Sequence, residues 1–118
     1  MAVITPKVGA LSGVDPLSYV TAAAGGDTFP ATGDGVYLIH VKNGHSSSQT
    51  VTIDDPTTPL PPGAAASSTF ADVPVAVPNA GERMIVISNA ARFIDSTGNI
   101  ALTYSGVTAL TLQVIKVL

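Results

Sequence analysis

The sequence contains no cysteine and no tryptophan, and only 11% of its residues are charged, against about 25% in an ordinary soluble domain. Without cysteine neither disulfides nor thiolate metal sites are available, which excludes an exported disulfide-framework domain. Three Tyr and three Phe are too few to provide an evident stacking platform for sugars or bases. Five Lys and Arg against eight Asp and Glu give a net charge of −3. That balance opposes phosphate neutralisation, so no nucleic-acid partner is expected. Apolar residues make up 46% of the chain, yet no run approaches the ~18 residues of a spanning helix, and no membrane partner is expected. Residues 1–7 lack the basic region and long apolar stretch of a signal peptide.

Thirteen Thr and ten Ser supply polarity without charge, and many outward positions are Ala, Val or Pro. A surface of this kind points to burial of part of it against neighbours. At 118 residues the chain is long enough for one domain that buries roughly two-thirds of the surface exposed on unfolding.

A strand pattern runs almost unbroken from Val36 to the end. In residues 36–43, Tyr37, Ile39 and Val41 share one face, leaving His40 and Lys42 outward; in residues 49–54, Val51 and Ile53 face in and Thr50 and Thr52 out. The polar loop 44–48 between them predicts a β-hairpin. Residues 18–23 form a first strand, 28–35 a turn-rich loop, and 55–63, with Pro56, Pro59, Pro61 and Pro62, an exposed loop. Val73, Val75 and Val77 alternate with Pro74 and Ala76, as in an edge strand. The continuous run Met84-Ile85-Val86-Ile87 reads as a central strand covered on both faces. Residues 92–94 are a short extended piece, and strands follow over 100–104 and 110–114. The predicted fold is an all-β, antiparallel two-sheet sandwich of jelly-roll-like arrangement, with an immunoglobulin-like order as the alternative. Ile39, Val51, Val86, Leu102 and Leu112 are its predicted core.

Residues 1–17 have no sustained periodicity and contain Pro6, Gly9, Gly13 and Pro16. They read as an extended N-terminal arm, with the core beginning near Leu17 and the domain spanning 18–118. Val3, Ile4, Val8 and Leu11 are the arm's apolar anchors. With Val117 and Leu118, which leave the C-terminus apolar on both faces, they are the candidate protein-interface residues.

No catalytic, cofactor or metal site is expected. His40 and His45 flank a loop with no third ligand in view. Asp54 and Asp55 point to opposite faces of a strand end before a proline turn. Ser46, Ser47 and Ser48 lie beside His45 without a nucleophile-elbow pattern. The glycine pairs 25–26 and 33–35 lack the strand, loop and helix context of a phosphate cradle. The chain is therefore expected not to be an enzyme.

The order of these segments, Gly35-Val36-Tyr37-Leu38-Ile39-His40-Val41-Lys42-Asn43-Gly44, then Thr50-Val51-Thr52-Ile53, Val75-Ala76-Val77-Pro78 with Gly81-Glu82-Arg83, residues 98–105 and residues 107–112, resembles the capsid decoration (cement) proteins of tailed bacteriophages. That resemblance implies a virion component on the capsid surface, synthesised in the host cytoplasm. Its partners would be the major capsid protein and copies of itself, often as a trimer, and its role would be to stabilise the shell against internal DNA pressure. A tail or head–tail connector protein would need the same chemistry, and a soluble ligand-binding or adhesion sandwich is the third reading.

Overall fold

The computed structural model describes residues 2–8, 19–56 and 72–117. Ten strands follow in chain order: β1 (Ala2–Val3), β2 (Lys7–Val8), β3 (Val20–Thr21), β4 (Asp27–Pro30), β5 (Tyr37–Asn43), β6 (Gln49–Ile53), β7 (Val73–Val77), β8 (Glu82–Ile87), β9 (Asn99–Tyr104) and β10 (Leu110–Lys116). One 3₁₀ turn, Ala90–Arg92, precedes a turn at Phe93, and the extended piece predicted over 92–94 forms no strand. There is no α-helix among the described residues, so the predicted all-β class is observed.

Two sheets form. The first has the order β1-β4-β9-β6-β7; the second has the order β2-β10-β5-β8, with β3 also pairing to β10. Pairs within the main body are antiparallel, while the short β1 and β2 join β4 and β10 in parallel. Buried residues of both sheets belong to one hydrophobic cluster, from Phe29, Ile100, Leu102, Val51 and Ile53 in the first to Tyr37, Ile39, Leu112 and Val114 in the second. The chain is thus sandwich-like, its inner faces supplied by the alternate residues that the sequence marks as apolar.

The predicted hairpin over residues 36–54 does not form. β5 pairs with β8 and β10 in one sheet, and β6 pairs with β7 and β9 in the other. Alternation records which face is buried, and two strands facing each other across a core carry the same alternation as two lying side by side. Loop 44–48 instead carries the chain from one sheet to the other, and two buried amides hold that corner. Asn43 Nδ2 donates to the carbonyls of Ser47 (2.9 Å), Val77 (3.1 Å) and Pro78 (3.2 Å). Its Oδ1 accepts from the His45 N–H (3.0 Å) and from Gln49 Nε2 (2.9 Å), which also donates to the Thr108 carbonyl (2.9 Å).

Other boundaries shift for local reasons. Asp27–Pro30 is a strand rather than part of a loop because Phe29 is fully buried beside Tyr37, ring centroids 5.6 Å apart. Pro30 is its last residue, where a missing N–H interrupts no ladder. The turn into this strand requires Gly26, at φ +92°, where a Cβ would sit 2.7 Å from the Leu102 carbonyl oxygen. β7 is an edge strand, as its prolines predict. β8 is an edge as well, not a central strand, and Val86 is exposed, not core; Ile39, Val51, Leu102 and Leu112 are buried as predicted.

The start of the core is also corrected. Ile4, only 4% exposed, belongs to the hydrophobic cluster, and its N–H donates to the Thr28 carbonyl at 2.7 Å. Residues 2–8 lie along the edges of both sheets, crossing from β4 to β10 between Val3 and Lys7. The remainder of the segment read as an arm, and most of the proline-rich loop, lie outside the described residues.

Candidate interaction surface

The outer face of the second sheet follows from alternation. β5 presents Leu38, His40 and Lys42; β8 presents Val86, Met84 and Glu82 opposite them; on the other flank of β5, β10 places Ile115, Thr111 and the buried Gln113 on this side. One corner of this face is apolar. Met84 is 61% and Val86 63% exposed, and the row continues through the half-buried Leu38 and Ile115. Six-residue β8 is apolar on both faces over its last four positions, and only the Ile85 and Ile87 side is covered.

The opposite corner is polar and tightly connected. His40 Nε2 donates to Glu82 Oε1 at 2.6 Å, leaving Nδ1 to accept the Tyr19 hydroxyl proton. The Tyr19 ring stands edge-on to His40 with centroids 5.4 Å apart, and Lys42 Nζ lies 4.2 Å from its centroid. Burial, and then the Glu82 charge, push the Tyr19 hydroxyl above its ordinary pKa. A phenol held protonated in this way is a poor nucleophile. The cluster instead clamps the chain entering β3 onto β5.

The predicted interface residues do not converge. Val3 lies exposed on β1 at the edge of the first sheet, and Ile4 is in the core. Val8, exposed on β2 opposite Lys116, lines a cleft of about 260 Å³ with Pro6, Pro30, Ala31, Thr32 and Tyr37. Val117, 52% exposed, follows β10 directly. Leu11 and Leu118 lie outside the described residues. Met84 and Val86 were missed because a continuous apolar run has the same composition whether one face is covered or two.

Three further polar groups are structural. The Tyr104 hydroxyl donates to Asp27 Oδ2 at 2.6 Å, and the Ala23 N–H donates to the same oxygen at 3.1 Å. Arg92 Nε donates to Asp55 Oδ2 at 3.0 Å, and the Asp55 N–H to Asp72 Oδ1 at 2.8 Å. Asp55 is therefore buried, where the sequence reading placed it in an exposed turn. Burial first, and then the hydrogen bond and charge of Asp72, raise the Asp54 pKa. Among the described residues no three His, Asp or Glu side chains are grouped to hold a metal ion.

Burial, and secondarily Asp27, push the Tyr104 hydroxyl above its ordinary pKa. The folded state therefore favours the protonated phenol. This stabilisation is complete below about pH 10, where an unfolded tyrosine ionises, and declines as pH rises from there toward the folded pKa. The melting temperature should fall above about pH 10. Tyr104→Phe should flatten part of that decline while costing about 1–3 kcal/mol at pH 7, because Asp27 loses a donor; parallel alkaline limbs for the two proteins would contradict this.

No protein-family model, curated protein or solved structure matches this chain.

Proposed function

We propose that this chain is a capsid decoration protein of a tailed phage, which binds the outer surface of the assembled head through the apolar corner of its second sheet and stabilises the shell. The observation that carries the reading is that corner. Met84 and Val86, together with Leu38 and Ile115, form an apolar patch on a surface otherwise poor in charge, and such patches mark protein interaction sites. Binding to a protein shell needs this and no reaction centre.

The strand order supports the same reading at the level of fold. Numbering β3 to β10 as successive strands one to eight, the second sheet has the order one, eight, three, six, and the first has the order two, seven, four, five. We read this order as the double Greek key of a jelly roll, an architecture that recurs in viral capsid and lectin domains. Fold alone does not assign function, so the weight rests on the surface.

The test is co-sedimentation of the purified protein with DNA-free shells of the major capsid protein from the phage that carries its gene. The wild-type chain should saturate the shells and raise their melting temperature. Leu38→Ser combined with Val86→Asp should weaken binding about tenfold or more, since a central apolar anchor is lost and a charge buried. Absence of binding to shells overturns the reading, and binding to isolated tails instead favours a tail or connector position.

A further inference from the structure

Each sheet has two edges, and three of the four are closed or blunted within the chain. β1 covers β4, β2 and β3 share the outer edge of β10, and β7 carries Pro74 with Pro78 following. β8 is the fourth. It runs six residues, Glu82–Ile87, without proline, and among the described residues no strand lies on its far side.

The register shows which of its backbone groups face outward. The Asn43 N–H donates to the Gly81 carbonyl at 2.8 Å, one step beyond the Lys42 and Glu82 partners. Hydrogen-bonded pairs alternate along an antiparallel ladder. Arg83, Ile85 and Ile87 therefore bond to β5, and Glu82, Met84 and Val86 direct their N–H and C=O groups away from it. That outward set is symmetric about Met84.

We propose that two copies of this chain pair β8 against β8, antiparallel, about a twofold axis at Met84. Glu82 of one copy then lies opposite Val86 of the other, and the two Met84 residues face each other. Each outward N–H meets an outward C=O at matching spacing, which is what a second copy of this strand supplies. Neither Glu82 nor Arg83 meets its own kind. The Glu82 carbonyl, which accepts from Arg83 Nη1 at 2.8 Å, exchanges that exposed contact for the Val86 N–H of the other copy. The contact is isologous and closes at two copies, so it builds no filament. It also merges two apolar corners into one continuous face. The pairing is independent of the decoration reading, because it is measured on the isolated protein.

The chain has no cysteine, so each single-cysteine variant reports one position. Residues opposite each other in a hydrogen-bonded pair have Cα atoms about 5.5 Å apart, within disulfide reach. The wild-type protein should sediment as a dimer at ~100 µM, a concentration at which a micromolar dissociation constant is saturated. Oxidised Met84→Cys should become a covalent dimer, while Val86→Cys, paired with Glu82, should cross-link about tenfold more slowly. Met84→Pro removes an N–H that the fold does not use and should yield a monomer with an unchanged far-ultraviolet spectrum. Should it fail to fold, Met84→Lys, which opposes two ammonium groups at the axis, serves instead and should be monomeric. A monomeric wild-type protein, a Val86→Cys variant that cross-links as fast as Met84→Cys, or a folded Met84→Pro or Met84→Lys variant that remains dimeric overturns the proposal.

Discussion

Replacing Asn43 by leucine should lower the unfolding free energy by about 4 kcal/mol, since the substitution orphans several buried groups that each cost about 1–3 kcal/mol when unpaired. Leucine has the same side-chain branching as asparagine but is bulkier and offers no hydrogen-bonding atom. The groups left behind are the Ser47, Val77 and Pro78 carbonyls, the His45 N–H and one use of the Gln49 amide. Asn43 is 2% exposed, so water does not replace it without opening the corner where the chain passes between the sheets. Gln49→Leu should cost less, about 1–3 kcal/mol, because Asn43 Oδ1 keeps the His45 N–H and the main orphan is the Thr108 carbonyl. Asn43→Asp retains the acceptor but sets an oxygen against three carbonyls, and should be at least as damaging as leucine. Urea denaturation of the three variants checks the order; a loss below about 1 kcal/mol for Asn43→Leu would mean that the loop is held by something other than this amide.

Much of the sheet structure was legible because alternation is a local signal. Tyr37, Ile39 and Val41, then Val51 and Ile53, then Leu110, Leu112 and Val114 all occupy the inner faces that their spacing assigns. What alternation does not encode is the neighbour of each strand. β5 and β6 were read as a hairpin, although the feature that sends them to different sheets, the Asn43 and Gln49 pair, consists of two ordinary polar residues flanking a loop. Their role depends on Val77, Pro78 and Thr108, which are distant in sequence. The candidate surface was hidden for a related reason. In Met84-Ile85-Val86-Ile87 all four residues are apolar, and position at the sheet edge, not composition, decides that Met84 and Val86 stay exposed. The Tyr19, His40 and Glu82 cluster likewise joins three elements that no sequence spacing relates.

Residues 2–8 carry the second large effect, because Ile4 belongs to the core that the sequence pattern begins near Leu17. Ile4→Ala should cost about 2–5 kcal/mol, the range for truncating a buried aliphatic side chain in a core that relaxes only in part. Proline and glycine at positions 6, 9, 13 and 16 made the whole of residues 1–17 read as an arm outside the fold, because those residues break periodicity. A two-residue strand needs no periodicity. Ala2–Val3 takes its ladder partners from β4, Lys7–Val8 takes its own from β10, and Pro6 lies in the crossing between them, where no ladder donor is required. Ile4 sits at that crossing and points into the cluster shared by both sheets. Deleting residues 2–8 removes this side chain together with the pairing on two sheet edges, so it should cost more than Ile4→Ala alone. A domain of this size holds about 5–15 kcal/mol in total, and the truncated chain should show a markedly lower melting temperature and new exposure of the β4 and β10 edges to hydrogen exchange. The exposed Val3→Ala and Val8→Ala should each stay within about 0.5 kcal/mol of the wild type. A truncated protein as stable as the full chain would return residues 2–8 to the status of a detachable arm and leave Ile4 without a part in the core.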